Sequence, residues 1–235
     1  MIKEDVGVAG RLSIQLFDET GNLKDSREVK NLVVSSGRVF IAQSMLKTTT
    51  NTPTAMSHLG IGTAIMAVTN YIATGTTTVT ATVASTAVLA TGNTIVIENA
   101  AGTEQAKLNG TYPITVVNAT TFTFVVGTAV TTGTYTTTLG TLYIKAGLNN
   151  SALMGELGTR DALDTSTSVT TTYTNDTTQY VATFAAGNAT GAIREAGIFN
   201  ALTSGTMLCR TYFDVINKGA NDSLKITWKI QVTSS

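Results

Sequence analysis

The chain has 235 residues, enough to bury a full core in one large β domain or two smaller ones. Its 15 basic and 15 acidic residues cancel, so no excess positive charge exists to follow a phosphate backbone or an anionic lipid surface; nucleic acid and membrane are not expected partners. Charged residues are only 13% of the chain, and Thr, which is β-branched and favours extended backbone, supplies much of the missing polarity.

The opening "MIKEDVGVAG" is charged at once and lacks the apolar stretch of a secretory signal, and no apolar run is long enough to span a bilayer. Accumulation in the cytoplasm of the producing cell is the expectation. In "RLSIQLFD", Leu12, Ile14 and Leu16 alternate with polar residues, "ETGN" supplies a turn, and "REVKNLVVSS" returns, so residues 10–35 read as a hairpin. "SSGRVFIAQSMLK" follows with Val39, Ala42, Met45 and Leu46 at helical spacing behind a Ser suited to cap the first turn. "MSHLGIGT" reads as a short buried strand.

From about Ala67 the composition changes, and residues 74–142 carry only Glu98, Glu104 and Lys107 as charges. Within this stretch "TVTATVAS", "NTIVIEN", "YPITVVN", "TFTFVVG" and "TLYIKA" read as strands. Tyr112, Ile114 and Val116 share one face opposite Phe122, Phe124 and Val126, the cross-strand pattern that a small barrel or sandwich needs for its core. "SALMGELGTRDAL" is a connector, followed by the Thr-rich "TSVTTTYTN" and then "QYVATFAAG", "GAIREAGIFNA", "GTMLCRTYFDVI" and "DSLKITWKIQV". In the last, Leu224, Ile226, Trp228, Ile230 and Val232 face one way. The expected fold class is all-β: an antiparallel β-sandwich or jelly-roll body with one short helix, built from residues 1–67 and 146–235, plus an inserted small β-barrel at 68–145.

Residues suited to catalysis are few. His58 is the sole histidine and has no nucleophile or orienting carboxylate at recognisable spacing. The lone Cys209, within Met207-Leu208-Cys209, reads as a small core residue, and zinc would need more His or Cys than the chain has. Glu156, Asp161 and Asp164 are a conceivable carboxylate pair for glycoside hydrolysis but read as solvated loop charges. No glycine-rich segment has nucleotide-binding spacing. No enzyme activity, cofactor or metal is expected. Arg194-Glu195 reads either as a surface pair or, more sharply, as a partly buried Glu195 that fixes register with a backbone or arginine partner. A glycan binder should expose aromatics on a wet strand face; Trp228 falls with the core set, leaving Tyr71, Tyr112, Tyr135, Tyr143, Tyr173 and Tyr180.

The segments "VKNLVVSSGRVFIAQSM", "MSHLGIGT", "ALMGELGTRDAL", "YVATFAAGNATGAIREAGIFNA" and "GTMLCRTYFDVINKGANDSLKITWKI", roughly two thirds of the chain and in this order, resemble a family of uncharacterised structural proteins of tailed-bacteriophage virions. In that family the short strand leads by a brief loop to the Leu-Gly-Thr connector; here the Thr-rich stretch intervenes. "GTEQAKLNGTYPITVVNATTFTF" in turn resembles the small β-barrel repeat named for a domain of the ubiquitin-activating enzyme, which recurs in phage tail and surface proteins; no ubiquitin chemistry is implied.

The resemblance implies a virion protein, assembled in the host cytoplasm and forming a homo-oligomer. It would act as a capsid cement subunit on the major capsid protein, or as a tail, neck or baseplate accessory, with a host surface glycan as a further possible partner. The absence of heptads or a sustained repeat favours a compact head subunit over a fibre. The expected subunit contacts are the N-terminal arm, Met1, Ile2, Lys3, Glu4 and Asp5 on to Val8, and the loop "NKGAND", with Asn217, Lys218, Asn221 and Asp222.

Overall fold

The structure, a computed structural model, describes residues 6–45 and 53–234. In chain order its elements are β1 (Val6–Phe17), β2 (Leu23–Val33), α1 (Ser35–Ser44), β3 (His58–Gly62), β4 (Ile65–Met66), β5 (Val68–Ala73), β6 (Thr78–Val83) and β7 (Thr94–Glu98). A 3₁₀ turn at Gln105–Leu108 precedes β8 (Gly110–Val116), β9 (Thr121–Val125), β10 (Gly133–Tyr135) and β11 (Thr141–Ile144). The remainder are β12 (Asp161–Ala162), β13 (Thr165–Val169), β14 (Thr177–Phe184), β15 (Gly191–Phe199), β16 (Met207–Lys218) and β17 (Ser223–Ser234). All their pairings are antiparallel. Among the described residues the fold is all-β with one α-helix, as the alternating sequence patterns require.

The chain divides into two compact units, Met1–Thr63 with Ser151–Ser235, and Ala64–Asn150. These limits lie a few residues outside the stretch marked by the composition change. Ile65 and Met66 pair with β11, and the Asn150 amide donates to the Val88 carbonyl at 3.1 Å, so both flanks belong to the second unit.

In the first unit the sheet order is β12-β3-β15-β16-β2-β1-β17-β14-β13. β2 turns the corner: its earlier residues pair with β1, while Leu32 and Val33 pair with Arg210 and Cys209 of β16. The other end is joined by the segment 161–169. Leu163 N donates to Ser57 O at 2.9 Å beside β3, and Asp164 N donates to Val181 O at 2.7 Å beside β14. The sheet therefore curls into two facing layers, with one apolar cluster between them. Leu12, Ile14 and Leu16 meet Trp228, Ile226 and Leu224 in direct register, and Ile61, Phe184, Ile198 and Phe213 complete the same cluster. Each such side chain contributes about 1.5–3 kcal/mol by leaving water. Val232, expected on the same face, lies where the layers open and is half exposed.

Helix α1 turns a different face inward from the one its spacing suggests. Val39 and Met45 are exposed, Ala42 is too, and Leu46 lies outside the described residues. Gly37 is buried, with Phe40 and Ile41 packed on the core. The cause is local. A Cβ at Gly37 would overlap the Leu208 carbonyl of β16, so the helix backbone itself approaches the sheet there. The expected serine cap is also absent: Val34 occupies the cap position, its carbonyl accepting from Arg38 N, while the Ser36 hydroxyl donates to Met207 O at 2.8 Å.

In the second unit the order is β10-β5-β6-β9-β8-β7-β11-β4. β4 and β5 are one chain segment separated by Ala67, so the sheet returns to its starting strand and closes as a small barrel. Ile114 opposes Phe124 and Val116 opposes Phe122, the register expected from alternation. Tyr71 packs edge-on to Phe124, with ring centroids 5.9 Å apart. β5, which carries Tyr71, is absent from the strands read in the sequence because a register shift between Val68 and Asn70 breaks its alternation.

Candidate functional site

The connector after the insert gathers most of the polar side chains that sequence reasoning singled out. Glu195 and Arg210 are both fully buried, with Glu195 Oε2 accepting from Arg210 Nε at 2.8 Å and Nη2 at 2.7 Å. Glu195 Oε1 accepts from the backbone N–H groups of Met154 and Gly155, each at 2.9 Å. The carboxylate thus pins the connector onto β15, the sharper of the two sequence readings. A side chain at Gly62 would bring its Cβ within 2.6 Å of both Glu195 Oε1 and Gly155 O, so β3 needs glycine there. Arg194 Nη1 donates to the Tyr212 hydroxyl at 3.3 Å.

Glu156 accepts from Arg160 Nε at 2.7 Å, and Arg160 Nη1 donates to Ala201 O and Ser204 O. The Arg160 guanidinium carbon lies 3.4 Å from the centre of the Phe199 ring, a cation–π contact. Asp161 accepts from Asn188 Nδ2 and Asp164 from the Thr183 hydroxyl. Each of the three carboxylates weighed for hydrolysis therefore accepts from a side-chain donor within the fold. His58 Nδ1 lies 2.8 Å from the Ser57 hydroxyl. Cys209 is fully buried, and burial pushes its thiol far above the ordinary range. Among the described residues no three His, Cys, Asp or Glu side chains gather as a metal site, and no helix is long and apolar enough to cross a membrane.

The expected contact loop is divided by the fold. Met1, Ile2, Lys3, Glu4 and Asp5 lie outside the described residues. Asn217 and Asn221 are exposed, Asn221 donating to Glu19 Oε2 at 3.0 Å. Lys218 and Asp222 are instead buried and turned to internal work. Lys218 Nζ donates to Ala185 O and Asn188 O at 2.9 and 2.8 Å, and desolvation lowers its pKa. Asp222 accepts from Lys24 Nζ and from Gly219 N, which closes the β16–β17 turn and ties it to β2. Burying a Lys or Asp requires such partners, so neither offers its charge to another protein.

This unit also carries an apolar groove of about 680 Å³. Phe40 and Ile41 of α1 line one side, Tyr180, Leu208 and Ile230 the floor, and Val8, Met45, Tyr173 and Val232 the rim. Burial pushes the Tyr180 hydroxyl up to about 12. The turn beneath Tyr173 is built by Asp176, which accepts from the backbone N–H groups of Tyr173, Thr171 and Thr172 and from Gln231 Nε2. Tyr173 is thereby presented with 67% of its surface exposed, whereas Tyr71, Tyr143 and Tyr180 are buried. Alternation could not reveal this groove, because its residues come from five separate segments.

No family model and no curated protein matches this chain. Among solved structures, a phage phi92 endosialidase aligns over 65% of this chain with 18% identity and a TM-score of 0.28. This chain spans 23% of that protein's length.

Proposed function

We propose that the protein is a non-enzymatic structural subunit of a tailed-phage virion, most simply a cement or decoration subunit that stabilises the head shell and carries the small barrel as an inserted module. The observation that carries this reading is the ordered set of sequence segments resembling virion structural proteins. All of them fall in the first unit, on β2 and α1, on β3, on the connector pinned by Glu195, and on β14 to β17. The insert is a compact unit of its own, consistent with a module added to a pre-existing body. Its likeness to the barrel repeat of phage surface proteins belongs to the same proposal.

The groove flanked by α1 supplies a means of attachment. A ring of exposed Val8, Met45, Tyr173 and Val232 around a buried apolar floor is the composition of an interface centre. A contact of roughly 1,600 Å² suffices for specific docking, and repetition over a symmetric particle multiplies weak contacts. The partner would be the major capsid protein, or a neck or tail protein in the second placement, with the subunit itself oligomeric. A host surface glycan is the remaining reading.

Cryo-electron microscopy of intact particles tests this directly. Density for the two units at twofold or threefold positions on the shell supports the cement role, and Tyr173→Asp with Val232→Asp should then release the subunit from capsids. Density confined to the neck or baseplate replaces that role with a tail one. Particles that lack the protein altogether would overturn the virion reading.

A further inference from the structure

The outer face of the first unit carries a row of like charges that no described residue neutralises. Arg11 of β1 stands directly opposite Lys30 of β2 on one side and Lys229 of β17 on the other. The row continues through Gln179 of β14. Strands in a sheet lie about 4.8 Å apart, so three cations fall within about 10 Å of one another. Like charges placed directly opposite destabilise a sheet. All three side chains are exposed, and none makes an ion pair or a side-chain hydrogen bond with a described residue.

The row is not flat. Arg11 and Lys229 together separate two depressions, of about 510 and 390 Å³. Lys30, Thr177 and Gln231 border the first, and Ser13, Gln179 and Thr227 the second. Glu28 edges the second, opposite Ser13 in register, leaving the cations in excess.

We propose that this face binds an acidic polysaccharide, with Arg11, Lys30 and Lys229 taking sugar carboxylates and the flanking amides and hydroxyls taking sugar hydroxyl groups. Arg pairs with carboxylates through two parallel hydrogen bonds, and charge-assisted bonds of this kind are the strong ones. A protein partner would need aromatic or aliphatic anchors at the centre of the contact; the centre here is cationic, and apart from Val8 and Ala9 at one end and Glu28 at the other its bordering side chains are amides and hydroxyls. A single-stranded nucleic acid would need aromatic platforms and a longer cationic track. A polyhydroxylated chain bearing spaced negative charges matches both the charge row and its neutral borders. The site stands on this geometry alone and holds wherever the protein sits in a particle.

The test is affinity electrophoresis of the full-length protein in native gels containing polygalacturonate, with a neutral dextrin and poly-L-glutamate in parallel gels. Expected are retardation by polygalacturonate that weakens with added salt, and none by the dextrin. Arg11→Gln with Lys229→Gln should weaken retardation by about tenfold or more in apparent affinity, since two charge-assisted contacts are lost. Lys225→Gln, on the same face but outside the row, should leave it unchanged. Thermal melting of the double variant checks the fold independently, and its Tm should equal or exceed that of the parent because repulsion is removed. If the double variant is less stable, single Lys30→Gln replaces it. Absence of retardation, equal retardation of the row variants, or equally tight and equally variant-sensitive binding of poly-L-glutamate would overturn the proposal.

Discussion

Arg210 Nη2 lies 2.7 Å from Glu195 Oε2, with both side chains completely shielded from solvent. Such a pair repays its desolvation only because every remaining lone pair is used, here by the Met154 and Gly155 N–H groups. Glu195→Ala or Arg210→Ala each leaves an uncompensated buried charge and should lower stability by about 3–5 kcal/mol. The double variant should lose less than the sum. Urea unfolding midpoints measure both.

The Tyr71 ring is buried in the barrel, and its hydroxyl has no hydrogen-bond partner among the described residues. Burial accordingly drives its pKa well above the usual value. Tyr71→Phe removes the unpaired group and keeps the edge-on packing against Phe124, so the barrel should gain about 1 kcal/mol or more. A lower midpoint than the parent's in chemical denaturation of the isolated insert, residues 64–150, would contradict this.

The face that α1 turns inward can be tested by size. Gly37→Ala places a methyl group against the Leu208 carbonyl and should cost about 1–3 kcal/mol, although alanine is the better helix former. Val39→Ala, on the exposed side, should stay within about 0.5 kcal/mol. Had the sequence spacing set the inward face, the two effects would be reversed.

Thr63 N donates to Gly155 O at 2.8 Å, so the ends left by removing the insert are already held together. Deleting residues 64–150 and closing the gap with a short glycine-serine linker should leave a cooperatively folding first unit. The insert's own ends are likewise held, Ile144 N donating to Ala64 O at 2.9 Å. Far-UV circular dichroism and a single thermal transition for each piece are the expected results.

Acid should act through four turn carboxylates, among them Asp222, whose hydrogen bond from Lys24 lowers its pKa. The Thr20 hydroxyl and the Asn22 N–H hold Asp18 at about 2, and the Thr131 N–H with Lys107 holds Glu104 at about 2. Asp176, accepting first from Tyr173 N, lies lower still. In each case the folded pKa is below the ordinary 3.8 or 4.5, so the unfolded chain binds more protons in between. The stabilisation is complete above about pH 4.5 and drains away as pH falls toward 2. Asp18→Asn should flatten that decline in urea titrations, and a parent whose midpoint is constant across the window would refute the assignment.

Most of the strands were legible because a half-buried strand writes its orientation as period-two alternation. Leu12 to Leu16 and Leu224 to Ile230 are the plainest cases. β5 was hidden by its bulge and β10 by its three-residue length. The helix was legible as a helix but not in its orientation, since a glycine contact leaves no apolar mark. Burial of Lys218 and Asp222 was equally illegible: the pattern of a surface turn is the same whether its charges face water or distant carbonyls. The groove and the cationic row depend on register between strands far apart in sequence, which no local pattern records.

The terminal strands in the two sheet orders are β12 and β13, and β10 and β4, with lengths of two, five, three and two residues. β4 runs on into β5 and β12 into β13, so each sheet returns on itself and leaves little unpaired margin, the place where protein chains recruit one another into fibrils. Molecules of this kind can be crowded at high copy number without templating one another. Their specific associations are then left to side chains standing on the sheet faces, and those can be rewritten by substitution without disturbing a single backbone hydrogen bond.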